Sequence, residues 1–377
     1  MSSDLHGQLT ALIIDDDTLM LRSLNRVLKQ LEPQLHIVCL DSPAKLDETL
    51  ASLPNLHLLI ADYLMPVMLG TEVIKQVSSR YVGLITVLIT GEASGKALDG
   101  NSIQCSYFLS KPFEMAQFEQ IMADVKVISR LKIEREVKQQ LEGLFVKGQV
   151  SFSMLNLLNA LNDPFLDFIK LQKLLSPDPL LTTRIIHLSN SAYFGQRAPN
   201  YTLEGAIKRL GLEMIRRITC AMVCGDVFCL VADKLQIERL VDQHLLNCHK
   251  LTSILKAAGY KTQQADKIAY IHTLLLIGEL TVKTKTIISN GAPSSVYLNR
   301  LTYTCYVAAL LGFERDVTNF YFNCILALSS KDIGSFETAL FLLADSKDYE
   351  AEHQKIRQLI SISENSDLVE MYDAQSV

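Results

Sequence analysis

The first third of the chain alternates short apolar runs with stretches of helical periodicity, and no other feature constrains the fold as strongly. Each apolar run has the length of a strand, and apolar residues recur every three or four positions in the stretches between them. This alternation is typical of a parallel sheet covered by helices on both faces. The predicted strands are Leu9–Ile14, His36–Leu40, Leu56–Ala61, Leu84–Thr90 and Gln104–Leu109, and the predicted helices between them are Thr18–Leu31, Pro43–Leu53 and Gly70–Arg80.

Polar residues lie at the ends of four of these strands, namely Asp15 and Asp16, Asp62, Thr90 and Lys111. The carboxyl ends of parallel strands meet at one edge of a sheet, where ligands bind. Three acids at one edge repel each other and need a cation, and hard oxygen ligands suit Mg²⁺, so we expect Asp15 and Asp16 to hold it. We predict Asp62 as a nucleophile toward a phosphoryl group, with Lys111 and Thr90 stabilising the phosphoryl oxygens.

Four segments resemble the receiver (CheY-like) family over about residues 8–128. They are LIIDDD (Leu12–Asp17), LLIADYLMPVMLG (Leu58–Gly70), VLITGE (Val87–Glu92) and FLSKPF (Phe108–Phe113). The resemblance implies a flavodoxin-like α/β domain with a five-stranded parallel sheet and five helices. It also implies Asp62 as the phospho-acceptor, and a magnesium site formed by Asp15, Asp16, Asp62 and the carbonyl of Leu64.

The same resemblance implies that Thr90 and Phe108 form the switch that reports phosphorylation, and that the Lys111–Pro112 bond is cis. Two positions depart from the family pattern. Leu69 stands where an acidic or amide residue often precedes the glycine, and Phe108 replaces the frequent tyrosine. Neither position belongs to the predicted chemistry, but a receiver kept only as an unphosphorylated scaffold stays open as an alternative.

A charged, strongly helix-forming segment follows the receiver-like region, without Pro or Gly from residue 113 to residue 142. We expect the last receiver helix to continue into a linker helix over residues 129–146. Its apolar residues include Val137, Leu141 and Leu144, with fewer than three clean heptads. Both a linker packed within the chain and a coiled-coil dimer stalk are compatible with this pattern.

Beyond Ser151 only helical patterns occur, which predicts an all-α domain. Turn signals such as Asp163-Pro164, Gly195 and Gly211 separate the predicted helices. These helices are Ser151–Leu161, Phe165–Leu175, Pro179–Ser189, Leu203–Leu210, Leu212–Val231, Lys234–Ala258, Thr262–Ile277 and Pro293–Leu311.

Two segments of this part, Asp178–Gly195 and Leu203–Ile218, resemble the HDOD family, a relative of the HD metallohydrolases. The resemblance predicts an HDOD output domain over residues 147–345 and a partly flexible C-terminal helix and tail over residues 346–377. Leu275 and Leu276 occupy the positions of the His-Asp dyad. Leucine cannot bind a metal ion, so the domain is expected to bind a protein partner rather than to hydrolyse a substrate.

The histidines of this domain are expected in the core or on helix surfaces. His244 lies near the position of a first metal ligand, and His249 follows five residues later. We interpret both in this way, and likewise His187 and His272. The segment Asn190–Phe194 is either a recognition patch or a helix cap with buried aromatic rings.

Composition narrows the function classes. The net charge is −5 and the pI is about 5.9, so nucleic acid is not an expected ligand. No window contains the ~18 uninterrupted apolar residues of a membrane span, and the N-terminus does not resemble a signal peptide. Eight cysteines without CxxC or zinc spacing are typical of reduced thiols in a cytoplasmic protein.

Together these features predict a two-component response regulator. A histidine kinase or phosphotransfer protein would phosphorylate Asp62, and the HDOD domain would signal through an unidentified protein partner. The pattern leaves open whether the chain forms a homodimer. The alternatives are an HD-type cyclic-dinucleotide phosphodiesterase, disfavoured by Leu275 and Leu276, a DNA-binding regulator, and a phosphorylation-independent scaffold.

Overall fold

The computed structural model separates into two compact units, which are described one at a time. The first unit contains Met1–Gly148 together with Cys305–Phe322, and the second contains Gln149–Thr304 and Asn323–Val377. The structure describes residues 8–91, 105–145, 166–176, 201–229, 234–257, 259–283, 296–313, 315–333 and 350–361, with a few isolated positions between 181 and 369.

A five-stranded parallel sheet forms the centre of the first unit, in the order β2-β1-β3-β4-β5. Every residue of β1, β3 and β4 is buried, as expected for strands covered on both faces. The order and the parallel direction are those of flavodoxin-like folds, so the predicted fold class is confirmed. The strands are β1 (Thr10–Ile14), β2 (His36–Leu40), β3 (Leu58–Asp62), β4 (Ile85–Thr90) and β5 (Tyr107–Ser110).

Five described α-helices accompany this sheet, and apolar positions spaced three or four apart bury one face of each longer helix. Asp17 is the N-cap of the first, where its carboxylate accepts hydrogen bonds from the Leu19 and Met20 amides. A further receiver helix between β4 and β5 would fall on residues 92–104, outside the described part of the chain. The helices are α1 (Thr18–Leu31), α2 (Leu46–Ser52), α3 (Gly70–Ser78), α4 (Met115–Arg130) and α5 (Arg135–Phe145).

The linker helix is separate from the last receiver helix, so the prediction of one continuous helix is wrong. α4 ends at Arg130, and Leu131 adopts an extended conformation (φ −70°, ψ 122°) with its side chain buried. Helix propensity contributes only tenths of a kcal/mol per residue, whereas burying a leucine contributes about 1.5–3 kcal/mol. Val137 and Leu141 of α5 are almost fully buried within the single chain, which favours a packed linker over a coiled-coil stalk.

Buried carboxylates connect Cys305–Phe322 to the rest of the first unit. Asp124 of α4 is fully buried and accepts hydrogen bonds from the hydroxyls of Tyr107 and Thr318, the second at 2.9 Å. The side-chain amide of Gln120 donates to the carbonyl oxygen of Phe313 at 2.5 Å. The sequence patterns do not indicate this association, and the predicted domain boundaries stay a prediction.

A second buried acid makes an equivalent connection. Oε1 of Glu142 on α5 accepts from the hydroxyl of Tyr306 and from the amide of Gly83, each at 2.6 Å. Glu142 is 5% exposed, so each bond replaces lost hydration of the carboxylate.

The described part of the second unit is helical, which confirms the predicted all-α region. Gly211 lies inside α7 with a non-helical conformation (φ 75°, ψ 164°), so the predicted break at this glycine is confirmed. No described helix is long and apolar enough to cross a membrane. The end of α11 and the start of α12 belong to the first unit. The remaining helices of the chain are α6 (Phe168–Leu175), α7 (Leu203–Cys229), α8 (Lys234–Ala257), α9 (Thr262–Leu274), α10 (Leu276–Lys283), α11 (Val296–Leu310), α12 (Arg315–Ser330) and α13 (Glu350–Ser361).

A close approach between α10 and α11 places an ion pair in the core of the second unit. A Cβ atom on Gly278 would lie 2.0 Å from the carbonyl oxygen of Arg300, so only glycine fits there. One residue further along α10, Glu279 pairs with the guanidinium of Arg300, and both side chains are buried.

Candidate functional site

The strand ends bring the predicted site residues to one edge of the sheet. Asp62 and Thr90 are the last residues of β3 and β4, whereas Asp15 and Lys111 directly follow β1 and β5. Because the strands are parallel, all four residues lie at the carboxyl edge, where α/β sheets bind ligands. β3 is the central strand, so Asp62 lies in the middle of this edge.

Lys111 joins two of the acids. Its Nζ lies 2.6 Å from Oδ1 of Asp62 and 3.3 Å from Oδ2 of Asp15. The lysine side chain is 26% exposed, while those of Asp62 and Asp15 are 9% and 2% exposed. The carboxylates are therefore largely withdrawn from water, and the ammonium group lies between them and solvent.

Burial and the neighbouring charges shift the pKa values of Asp15 and Lys111. Burial raises the pKa of Asp15, the Asp17 amide and Lys111 oppose this shift, and the charge of Asp62 adds to it. Burial by itself lowers the pKa of Lys111, but the hydrogen bond to Asp62 and the charge of Asp15 outweigh it, so that pKa is raised. The lysine therefore stays charged, and the buried acids favour additional positive charge.

Local backbone contacts hold the acids in place. The amide of Asp17 donates to Oδ1 of Asp15 at 2.8 Å, and the amide of Leu64 donates to Oδ2 of Asp62 at 3.0 Å. Asp16 is exposed beside this pair. Each carboxylate therefore has one fixed oxygen and one oxygen directed at Lys111.

The two predicted switch residues differ in exposure. Thr90 is 4% exposed at the end of β4, and its carbonyl oxygen accepts from the amide of Lys111 at 2.7 Å. Phe108 is 42% exposed on β5 and lies opposite Leu88 in the strand register. The Lys111–Pro112 bond is cis, as predicted.

Gly70 lies directly against the Asp62 backbone, and we expect Gly70→Ala to destabilise the first unit. An added Cβ would lie 2.2 Å from the carbonyl oxygen of Asp62 and 2.9 Å from a methyl group of Leu88. Overpacking of this kind costs about 1–3 kcal/mol of unfolding free energy, which urea denaturation would measure.

Gly143→Ala provides the matched control. Gly143 lies in α5 of the same unit, with no atom within 4 Å of its added Cβ. Alanine there is expected to stabilise the helix by roughly 0.5–1 kcal/mol. Equal effects of the two substitutions would contradict the close approach at Gly70.

The donor set of the edge suits a small hard cation. Asp15, Asp16 and Asp62 offer carboxylate oxygens, and Leu64 offers a backbone carbonyl, against the single ammonium group of Lys111. Oxygen ligands of this type and number are those of Mg²⁺ sites that also bind a phosphate. The group can thus hold an ion and a phosphoryl group beside one nucleophilic carboxylate.

The structure also brings together three residues that sequence reasoning did not group. His244, Cys248 and His272 form a buried cluster in the second unit, although the sequence shows no zinc-type spacing of cysteine and histidine. Both histidines lie in the core, which is one of the two expected locations. His244 and Cys248 are one helical turn apart, which a search for i, i+4 ligands would have found. His272 joins them only through helix packing. Leu275 and Leu276, at the predicted dyad positions, are fully buried.

The segment Asn190–Phe194 and His187 lie outside the described residues, as does the side chain of His249. Arg217 on α7 is 3% exposed and pairs with Asp266 at 3.0 Å.

Two domain profiles match the chain in succession. The response regulator receiver domain matches residues 11–123, and the HDOD domain matches residues 149–286. A two-component response regulator of Arabidopsis thaliana is 27% identical over 115 residues, which are 30% of this chain. The chain spans 18% of the length of that relative.

Two solved structures resemble separate parts of the chain. A CheY-like receiver domain from Methylobacillus flagellatus is 18% identical, with a TM-score of 0.28, and the match covers 32% of this chain and 99% of that one. An HDOD domain protein of unknown function from Geobacter sulfurreducens is 16% identical, with a TM-score of 0.40, over 68% of this chain and 97% of that one. The two profile matches, in this order, identify a chain that carries a response regulator receiver domain followed by an HDOD domain.

Proposed function

We propose that this protein is a phosphorylation-controlled response regulator in which Asp62 accepts a phosphoryl group. The observation that carries the proposal is the position of Lys111, whose ammonium group contacts both Asp62 and Asp15 at the carboxyl edge of the sheet. A histidine kinase or a phosphotransfer protein would be the donor.

In the proposed transfer, a carboxylate oxygen of Asp62 attacks the phosphorus atom of a phosphohistidine. The bond between phosphorus and the imidazole nitrogen breaks, the imidazole takes up a proton from solvent, and an acyl phosphate forms on Asp62. Lys111 stabilises charge on the transferred oxygens, since its ammonium group is already within bonding distance of Asp62. Thr90, buried at the end of the adjacent strand, would hydrogen-bond one of these oxygens.

The proposal includes a bound Mg²⁺ ion, because the carboxyl edge of the sheet carries three aspartates and one lysine. Asp15, Asp16, Asp62 and the Leu64 carbonyl would hold the ion, which neutralises charge on the phosphoryl oxygens when bound. The raised pKa of Asp15 supports this assignment, because a carboxylate that burial and Asp62 destabilise gains most from a nearby cation.

The proposed output is a change in binding by the HDOD domain. Phosphorylation adds nearly two negative charges at Asp62, and Thr90 and Phe108 would adjust to them. Hydrolysis by the HDOD domain is not part of the proposal, because fully buried leucines occupy the dyad positions 275 and 276. The ligand of this domain would be another protein or a second copy of the chain.

Acetyl phosphate and Mg²⁺ provide the test. The wild-type chain is expected to gain the mass of one phosphate, whereas Asp62→Asn should gain none, because an amide is not a nucleophile at this position. Asp41→Asn is the control, since Asp41 is an exposed acid whose partner is Lys45 and it lies outside the site.

Three outcomes separate the alternatives. Loss of labelling when Mg²⁺ is removed would support the metal assignment, and size-exclusion chromatography of labelled protein would reveal a change of oligomeric state. Labelling of Asp62→Asn would place the phosphate elsewhere. An unlabelled wild type, under conditions that label another receiver domain, would favour a phosphorylation-independent scaffold.

A further inference from the structure

A buried group of metal-binding side chains lies in the second unit, apart from the Asp62 chemistry. His244 and Cys248 lie one turn apart on α8, and His272 lies near the end of α9. One nitrogen or sulfur atom of each residue lies within 4.8 Å of the others. The three residues are 6%, 1% and 2% exposed.

Direct contacts hold the three side chains together. Sγ of Cys248 lies 3.2 Å from Nδ1 of His272. The ring of His244 stacks on that of His272 with centroids 4.8 Å apart, and its Nε2 donates to the His272 carbonyl oxygen at 2.7 Å. A backbone carbonyl bonded to one ring nitrogen is the usual way in which metal-binding histidines are oriented.

The distances within the cluster are compatible with one bound ion. In a trigonal planar site with metal–ligand bonds of about 2.2 Å, the three ligand atoms lie about 3.8 Å from one another. The observed separations, 3.2 Å for one pair and at most 4.8 Å for the others, bracket this value. The three side chains are therefore close enough to bind one ion after their rings reorient.

The electrostatic surroundings limit the charge that the cluster can hold. Leu275 and Leu276 are fully buried near His272 in sequence. The rings of Phe341 and His272 pack edge to face with their centroids 5.3 Å apart. Burial among these side chains disfavours a net charge at His272, and the charge of the buried Arg300 is balanced by Glu279.

These surroundings distinguish between the metal ions that thiolate and imidazole bind. Both Cu(I) and Zn²⁺ bind such ligands. Cu(I) with one thiolate and two neutral imidazoles has no net charge, so its burial among apolar side chains carries a small desolvation penalty. Zn²⁺ would leave one positive charge and requires a fourth ligand, and within the described residues the group contains only three.

We propose that His244, Cys248 and His272 form a binding site for Cu(I). Binding would convert the Cys248 thiol to a thiolate and release its proton to solvent, while both histidines bind through neutral nitrogens. No change in the oxidation state of the protein or the metal is involved. The site is a second ligand-binding position, independent of phosphorylation at Asp62.

Competition for Cu(I) under anaerobic, reducing conditions tests the proposal. The full chain would be titrated with Cu(I) in the presence of the chromophoric chelator bathocuproine disulfonate, in a Cys39→Ser background because Cys39 is an exposed thiol. We expect one bound ion per chain and an ultraviolet thiolate-to-copper absorption band. Cys248→Ser should bind about a hundredfold more weakly or worse, since even residues outside the first ligand shell change metal affinity by 10–100-fold.

Cys324→Ser is the matched control, because it also removes a fully buried thiol of the second unit that lies outside the cluster. It should retain wild-type affinity. Equal losses in both serine variants, or equal binding by both, would overturn the site. Absence of the absorption band in wild-type protein would do so without any variant. Binding of Zn²⁺ but not Cu(I) would overturn the choice of metal.

Discussion

Replacing Arg300 with methionine is expected to lower the free energy of unfolding of the second unit by about 3–5 kcal/mol. Arg300 and Glu279 are 3% and 5% exposed, and their side chains form a close ion pair. Methionine fills much of the same volume but removes the guanidinium. The Glu279 carboxylate would then remain in the core without its cation, which accounts for most of the expected loss.

Two further variants distinguish this explanation from a loss of packing. A double variant with methionine at both 279 and 300 should recover much of the lost stability, because no buried charge remains. Glu204→Gln removes the exposed pair between Glu204 and Lys208, whose side chains are 52% and 65% exposed, and should change stability by less than about 1 kcal/mol. Urea denaturation of the three variants would measure these differences. If the double variant were as unstable as Arg300→Met, packing rather than charge would be responsible.

Stability of the first unit should fall between about pH 4 and pH 7 because of Asp124. Burial raises the pKa of this carboxyl group to about 7, although hydrogen bonds from Tyr107, Thr318 and Gln120 oppose the shift. In the unfolded chain the group has its ordinary pKa near 3.8. Below pH 4 both states are protonated, and the stabilising contribution is fully present.

As pH rises, the unfolded state loses this proton first, so the contribution decreases and is lost once pH exceeds the folded pKa. A shift of this size corresponds to a change on the order of 4 kcal/mol. Tyr107 and Thr318 bond to different oxygens of Asp124. Asp124→Asn cannot titrate, and like the protonated acid it offers these hydroxyls one acceptor and one donor. The variant should therefore match wild type at pH 4 and exceed it in stability at pH 8.

Denaturation of both proteins at pH 4, 6 and 8 would measure this difference. Subtracting the unfolding free energy of the variant from that of the wild type removes the contribution of the other titratable groups. Two titratable neighbours of Asp124 do not interfere, because burial raises the pKa values of Tyr107 and Cys305 above this range. A constant difference between the two proteins at all three pH values would show that Asp124 does not titrate in the folded state.

The receiver part of the fold was predictable because its signals are local. Continuous apolar runs identify strands buried on both faces, and the polar residue that ends each run then falls at one edge of a parallel sheet. This reasoning places Asp15, Asp62 and Lys111 together. In the structure both carboxylates lie within bonding distance of the Lys111 ammonium group. Gly211 was likewise recognisable as a break, since its backbone conformation favours glycine.

Features that depend on packing between distant segments were not predictable. The charged residues after Arg130 favour a continuous helix by propensity, yet the buried Leu131 ends it. Thr318 lies 194 residues from Asp124, and no periodicity in the sequence indicates that pairing. Arg217 forms a buried pair with Asp266, which lies 49 residues further along the chain.

The sequence by itself determined the order of the two domains, the strands of the sheet and the set of polar residues at its edge. These follow from residue type and short-range spacing, which fix local conformation and the direction of each side chain. Only the tertiary structure decided which buried groups meet: Cys305–Phe322 with Asp124 and Glu142, Glu279 with Arg300, and His272 with His244 and Cys248. The reason is physical, since the free energy of burying a charged or polar side chain depends on the partner that replaces water, and that partner is specified by packing rather than by neighbouring residues.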